Sequence, residues 1–355
     1  MKGLKKTFRN IAIVSILSIG AVLLWYYLSL SPVPYGGFTR NLVPSPLVSS
    51  KVHDLGHRSC YIAGVSNNHI YLGNYATPLQ MLVFNPTMEK SRDMRITLPS
   101  VTSWHGPINI KVDSPYFHIF NGLEPFVYRG LLTRDTSTEL AKNDSIFFKA
   151  AVPLDGDSYA FKAESAINHE DIIVKRNLTK KQLSIHENLL EKQIDGSFCT
   201  DGMLHYSRTI GSIVYVYFYR NQFIVSDTAF SQIVRINTID TIHRARINVG
   251  SLNNGRTKTM TIPPFIVNKR SSVFGNLLFI QSNVRANNEM PLVFKNNPVI
   301  DVYNLQSKQY ISSFYLPQYD GILMDSFLVS GSTLVALYDH YLVVYKLNYQ
   351  ALFSQ

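Results

Sequence analysis

The sequence predicts an all-β protein, a six-bladed β-propeller whose ring is closed by an N-terminal strand, preceded by one N-terminal transmembrane α-helix. Three observations predict it. A cluster of basic residues runs into a long apolar stretch at the N-terminus. The rest of the chain is built of short, alternating runs rich in Val, Ile, Tyr and Phe. Those runs fall into groups of four that recur every 40 to 70 residues or so, the spacing of propeller blades.

The basic residues are Lys2, Lys5, Lys6 and Arg9, and the apolar positions run from Ile11 to Leu30. Twenty helical residues at about 1.5 Å each cover roughly 30 Å, the depth of a bilayer's hydrocarbon core. Ser15, Ser18 and Ser29 can bond the helix's own carbonyls, and Trp25, Tyr26 and Tyr27 stand near the exit, where aromatic rings favour the interface. With only positive charges ahead of the span, the N-terminus is expected in the cytoplasm and the remainder across the membrane. The expected location is a bacterial inner membrane, single-pass, with an extracytoplasmic, periplasmic domain. A cleaved secretory signal shares the basic start and apolar middle. However, the run is longer than the usual one, and Ser29-Leu30-Ser31-Pro32-Val33-Pro34 offers no small-x-small cleavage site. A lipoprotein is excluded, because no cysteine follows the run.

Residues 31–49 carry Pro32, Pro34, Pro44 and Pro46 with Gly36 and Gly37, and read as an extended stalk between the span and a domain over 50–355. The composition, 46% hydrophobic and 16% charged with 21 Tyr and 20 Phe, suits one large folded domain. The net charge of +10 is misleading as a sign of nucleic acid. Residues 1–40 hold five basic and no acidic residues, leaving 29 basic against 24 acidic residues beyond them. Lys175, Arg176, Lys180, Lys181, Arg244 and Arg246 form scattered clusters that solvated loops account for, so no nucleic-acid partner is expected. Cys60 and Cys199 lie 139 residues apart in different parts of the expected fold and read as two buried thiols rather than a disulfide.

Strands are expected at Ser59–Gly64, His69–Gly73, Gln80–Phe84, Tyr116–Phe120, Phe126–Arg129, Ser212–Tyr219 and Phe223–Ser226. Gln182–Lys192 fits a short helix or a strand through Leu183 and Ile185. The clearest group of four is Phe265–Asn268, Leu277–Gln281, Val299–Leu305 and Tyr310–Leu316. Third and fourth strands also recur as Met81–Asn85 with Met94–Leu98, and as Phe223–Asp227 with Ile233–Asn237. Groups start near Ser59, Ile108, Ser145, Ser197, Phe265 and Ser326. The last group has Ser326–Val329, Thr333–Leu337 and Tyr341–Leu347 but no fourth strand. Its outer strand is expected from Ser50–Leu55, which would lock the two ends of the ring together. Seven blades, or a pair of β-sandwiches, remain compatible with spacings this irregular.

The segments HIYLGNYATPLQMLVFN, FCTDGMLHYSRTIGSIVYVYFYRNQFIVSD and PVIDVYNLQSKQYISSFYLP resemble blade cores of six-bladed bacterial envelope propellers, the broad NHL-like and TolB-like superfamily. The resemblance covers about residues 50–350 and implies a binding or scaffold role more often than catalysis, without implying a ligand.

No nucleophile elbow, P-loop, zinc-protease helix or dinucleotide fingerprint is present, which weighs against an enzyme. His53 and His57 fall in an extended segment that holds them about 13 Å apart, too far for a shared metal. Asp155-Gly156-Asp157 reads as a tight turn rather than a calcium loop. Asn168-His169-Glu170-Asp171 and Asp201-Gly202 are polar loops able to line a propeller mouth, and also ordinary surface turns. Asn143-Asp144-Ser145 and Asn177-Leu178-Thr179 match glycosylation acceptors, which matters only in a eukaryotic secretory pathway. No catalytic, cofactor-binding or metal-ligating residue is assigned, and no cofactor is expected. Three functions follow: an anchored binding or scaffold module for a protein partner or small ligand, a structural subunit of a membrane complex, and a metal-dependent propeller hydrolase or lyase.

Overall fold

The computed structural model describes residues 2–29, 36–99, 103–142, 146–252 and 257–353. Contacts divide the chain into two compact units, residues 1–35 and 36–355. The first contains helix α1 (Lys2–Ser29), on which Ile11, Val14, Ile16, Leu17, Val22 and Leu23 are exposed. Among the described residues no helix is long and apolar enough to cross a membrane. The last position of the expected span, Leu30, and stalk residues 31–35 lie outside the described residues.

The second unit is a six-bladed propeller. Strand β1 (Leu47–Asp54) comes first in the chain but belongs to the last blade. Blade 1 contains β2 (Cys60–Ser66), β3 (His69–Asn74), β4 (Gln80–Phe84) and β5 (Lys90–Arg95). Blade 2 contains β6 (Asn109–Asp113), β7 (Tyr116–Asn121), β8 (Phe126–Leu131) and β9 (Ser137–Lys142). Blade 3 contains β10 (Phe148–Pro153), β11 (Ser158–Glu164), β12 (Asp171–Asn177) and β13 (Gln182–His186). Blade 4 contains β14 (Gly202–Ser207), β15 (Ser212–Tyr217), β16 (Gln222–Asp227) and β17 (Ile233–Asn237). A separate hairpin, β18 (Val249–Leu252) and β19 (Thr257–Met260), is inserted before blade 5. Blade 5 contains β20 (Asn268–Phe274), β21 (Leu277–Ser282), β22 (Val299–Asn304) and β23 (Gln309–Tyr315), with helix α2 (Pro291–Asn296) in its middle loop. Blade 6 contains β24 (Ser326–Ser330), β25 (Thr333–Tyr338) and β26 (Tyr341–Leu347), followed by helix α3 (Tyr349–Leu352).

Every blade is an antiparallel meander, so the loops joining blades and those between second and third strands share one face, here the entry face. Middle strands are buried on both sides, as Leu277–Ser282 shows with every residue buried, because each blade is sandwiched between two others. The outer strands carry the polar pattern, and Gln182–His186 is nearly all exposed. That edge position makes Gln182–His186 a strand paired with β12, and residues 187–192 of the ambiguous segment continue as turn and loop. The ring closes as expected: β1 pairs with β26, from Leu47 opposite Leu347 to Asp54 opposite Tyr341.

Three expectations need correction. The stalk over 31–49 does not reach residue 49, because residues 36–46 are part of the folded domain. Gly36 N donates to Arg285 O, Leu42 bridges Ser313, and Val43 joins the core between blades 5 and 6. The prolines stop helix and sheet here but leave an extended strap that lies across blade 5. The strap is held chiefly by Arg40, which is buried against two carboxylates. Its Nε and Nη2 engage Asp301 at 2.7 and 3.1 Å, and Nη1 meets Glu289 and the Val284 carbonyl.

The first strand of blade 5 is Asn268–Phe274, not Phe265–Asn268. Pro263 and Pro264 precede Phe265, and Asn268 registers the strand by donating from Nδ2 to the carbonyls of Tyr217 and Arg220. The fourth strand of blade 1 is Lys90–Arg95, not Met94–Leu98. Beyond Arg95 the chain leaves the sheet, and Ile96 and Leu98 are buried between blades 1 and 2. The expected start at Ser145 lies outside the described residues, and blade 3 begins at Phe148.

Candidate functional site

Six inner strands, β2, β6, β10, β14, β20 and β24, surround the propeller axis. Two glycines permit close approaches around it. A Cβ on Gly64 would meet the Val112 side chain at 2.8 Å, and one on Gly122 would overlap the Phe148 carbonyl oxygen at 1.7 Å. Three cavities follow the inner strands. One of about 530 Å³ opens at the entry face between blades 6 and 1, and one of about 460 Å³ lies over blades 1 to 3. A third, about 390 Å³, runs between all six inner strands toward the opposite face. Ile62 lines all three.

Lys111 lines two of these cavities. Strand alternation fixes its direction: Ile110 on one side enters the core between blades 1 and 2, so Lys111 turns the opposite way. Its ammonium has no ion-pair or hydrogen-bond partner among the described residues. Protein surrounds it within the channel although part of its surface stays open to the cavities, and desolvation lowers it to about 8.

His205 of β14 lines the same channel, with Nε2 at 2.7 Å from Ser271 Oγ on β20. The Ser271 hydroxyl in turn reaches Met203 Sδ at 3.1 Å. Burial first, and then the Lys111 charge, lower His205 to about 3, so the ring is neutral at pH 7.

At the far rim, Arg208 Nη2 binds Asp113 at 2.6 Å, and Tyr206 OH donates to Asp155 Oδ2 at 2.6 Å. Burial pushes the Asp113 carboxyl up and the Arg208 charge opposes it. At the entry mouth, Arg270 donates, among the described residues, only to the carbonyls of Asp325 and Lys269. Arg58 there pairs with Asp339.

The two polar loops singled out in the sequence meet, though outside the cavities. Lys162 on β11, 2% exposed, pairs with Asp171 Oδ2 at 3.1 Å and with Asp201, while Lys149 takes Asp171 Oδ1 at 2.6 Å. This chain of alternating charges joins blade 3 to the start of blade 4. Glu170 pairs with Lys192, and His169 Nδ1 lies 2.8 Å from Glu164. Asp155-Gly156-Asp157 is a hairpin turn with Gly156 at φ 66°, and Asp157 binds Arg129 and Thr179.

His53 sits on β1 with its ring 4.8 Å from that of Phe84, and His57 lies beyond the strand beside Ser59. Asn177 Nδ2 donates to Ser158 Oγ, whereas Asn143-Asp144-Ser145 lies outside the described residues. Cys199 is buried; Cys60 is half-buried at the edge of the entry cavity, its thiol pushed up to about 11 by desolvation, and both are free. Among the described residues no three His, Cys, Asp or Glu side chains gather as a metal site. Sequence reading missed Lys111 and His205. The available signal was one lysine inside the apolar alternation Ile110-Lys111-Val112 at the start of a blade.

No family model matches the chain, and no curated protein matches it in sequence. Likeness is to solved structures. A crystal structure of a member of the DUF4221 family from Bacteroides vulgatus aligns with a TM-score of 0.54 at 11% identity, over 87% of this chain and 98% of that one. A protein described as exported, from Bacteroides fragilis, aligns at 0.50 and 10% identity over 89% and 99%. Virginiamycin B lyase from Staphylococcus aureus aligns at 0.50 and 8% identity over 84% and 99%. Identities this low show the fold alone.

Proposed function

We propose that this chain is a membrane-tethered, extracytoplasmic propeller of the envelope type that binds a small ligand in its axial channel. The observation that carries the reading is the set of three cavities around the inner strands, joined at Ile62 and supplied with a polar group, Lys111, that the fold itself does not use. Pockets of this size with a few convergent polar groups are where propellers and other closed folds take ligands. The tether rests on the basic flank, the apolar run and the exposed apolar side chains along α1, which a bilayer would cover. An exported protein among the structures of the same fold agrees with that placement.

Two measurements test the proposal. The full-length protein in detergent is screened for ligands by thermal shift, with Ser271→Trp as a variant that fills the channel. Ligands that stabilise the parent and not the variant support the channel, and stabilisation equal in both removes it. A cysteine introduced at the exposed Lys308 turn tests the tether. Labelling of whole cells by an impermeant thiol reagent is expected there, and labelling only from the cytoplasmic side overturns the extracytoplasmic placement.

A further inference from the structure

Among the described residues, Lys111 and Arg270 are the two cations lining the axial cavities that form no ion pair with a carboxylate. Around Lys111, the neighbouring inner strand β2 offers Tyr61 and Ile62, neither of them charged at neutral pH. From β10 comes Lys149, already committed to Asp171. From β14 comes the neutral His205, and just beyond it Arg208, committed to Asp113 on Lys111's own strand. His118 on β7 uses Nδ1 on the Tyr159 hydroxyl at 2.9 Å. Arg270, on β20, lines the entry cavity with Asp325, whose Oδ2 accepts from Asp339 N, and with the Arg58–Asp339 pair, and that cavity shares Tyr61 and Ile62 with the one holding Lys111. Among the described residues, the cavity over blades 1 to 3 has no acidic residue in its lining, and a desolvated cation without a counter-charge, as Lys111 is there, is a costly arrangement unless something supplies that charge.

We propose that the channel is an anion site: a small ligand bearing carboxylate or phosphate oxygens enters at the entry face past Arg270 and places one charged group on the Lys111 ammonium. This rests on the channel-binding reading above and narrows its ligand class. His205, with Nε2 directed to Ser271, leaves Nδ1 to hydrogen-bond a hydroxyl or amide of the same ligand. An anion here also raises the proton affinity of both groups. Lys111, lowered to about 8 in the free protein, returns toward its ordinary value, and His205 loses the nearby positive charge that helps depress it.

The test uses the full-length protein in detergent with malonate and inorganic phosphate as probes, titrated calorimetrically at pH 7 and about pH 9 in buffers of differing ionisation enthalpy. The expected result is saturable binding of at least one probe, with proton uptake on binding at about pH 9, where free Lys111 is largely neutral. Lys111→Met weakens that binding by roughly tenfold or more, whereas Lys111→Arg, which keeps the charge, retains most of it. Malonate alone marks a carboxylate ligand, and phosphate alone a phosphorylated one. Absence of saturation by either probe at about 10 mM overturns the anion site, as does binding unchanged in a folded Lys111→Met protein. A neutral ligand that stabilises the parent and not Ser271→Trp, with no anion binding, refutes this inference and leaves the channel reading standing.

Discussion

Lys162 and Lys111 are two lysines on adjacent blades, both held largely out of water, and they differ in what meets the ammonium. Lys162 lies between Asp171 and Asp201, with Lys149 on the far side of Asp171, and its charge joins blade 3 to blade 4. Lys111 has open cavity where a carboxylate would be. A buried charge that is paired is explained by the fold, while one left unpaired in a cavity is available to something else. Arg40 belongs with Lys162: burial would depress it, but Asp301 and Glu289 hold its guanidinium above the ordinary value. Arg40 and Lys162 thus hold the structure together through carboxylates, the buried Arg220 lies over the Tyr217 ring and donates to the Glu191 carbonyl, and the part-buried Lys111 is the cation left facing a cavity.

The comparison is tested most strongly by removing a paired cation. A protein beginning at residue 48 loses the strap and strands two buried carboxylates. It is expected to fail to give a cooperative thermal transition, while one beginning at Gly36 unfolds cooperatively. Arg40→Met leaves Asp301 and Glu289 uncompensated and should cost about 3–5 kcal/mol in denaturant unfolding. Lys162→Met should cost less, about 3 kcal/mol, because Lys149 still neutralises Asp171 and Asp201 is partly exposed. A cost near zero for either variant would erase the distinction between paired and unpaired cations.

The architecture was far more legible than the site. Six blades, their approximate starts and the closing strand all follow from period-two alternation and turn residues, because burial of both sheet faces leaves a strong local pattern. The strap was misread because Pro32 to Pro46 dictates only an extended backbone. Whether such a segment floats or packs depends on Arg40 finding Asp301 and Glu289, 261 and 249 residues away. The loops carrying Asp171 and Asp201 were visible as polar groups, but their meeting on Lys162 is a product of blade stacking. Lys111 gave the least warning of all, since only the closed ring shows that no carboxylate among the described residues pairs with it.

Acid should next act on the neutral histidines. Burial first, then nearby cations, lowers His205 and His118 to about 3, against an ordinary value near 6.5. The unfolded chain therefore binds more protons than the folded one between those limits. Stability is at its full value above about pH 6.5 and is lost progressively as pH falls toward 3. His205→Gln should flatten part of that slope in unfolding measured from pH 7 to pH 4. An unchanged slope would place the proton uptake elsewhere and remove the neutral imidazole from the channel.

Lys111→Met tests the comparison with the smallest effect and the opposite sign. Its ammonium is depressed to about 8 in the folded protein against an ordinary 10.5, so the unfolded chain holds the extra proton between those values. The parent should gain stability as pH rises from about 8 to about 10.5, and be held back by the charged group below 8. Replacing that group with an apolar side chain of similar length removes both features. The variant is expected to be about 1 kcal/mol more stable than the parent at pH 7, with a flatter alkaline profile, in the absence of anions. Adding malonate or phosphate should stabilise the parent and leave the variant unmoved, which closes the gap between them. A variant that is instead strongly destabilised at pH 7 would mean that Lys111 is as much a structural cation as Lys162, with its counter-charge supplied by the fold after all.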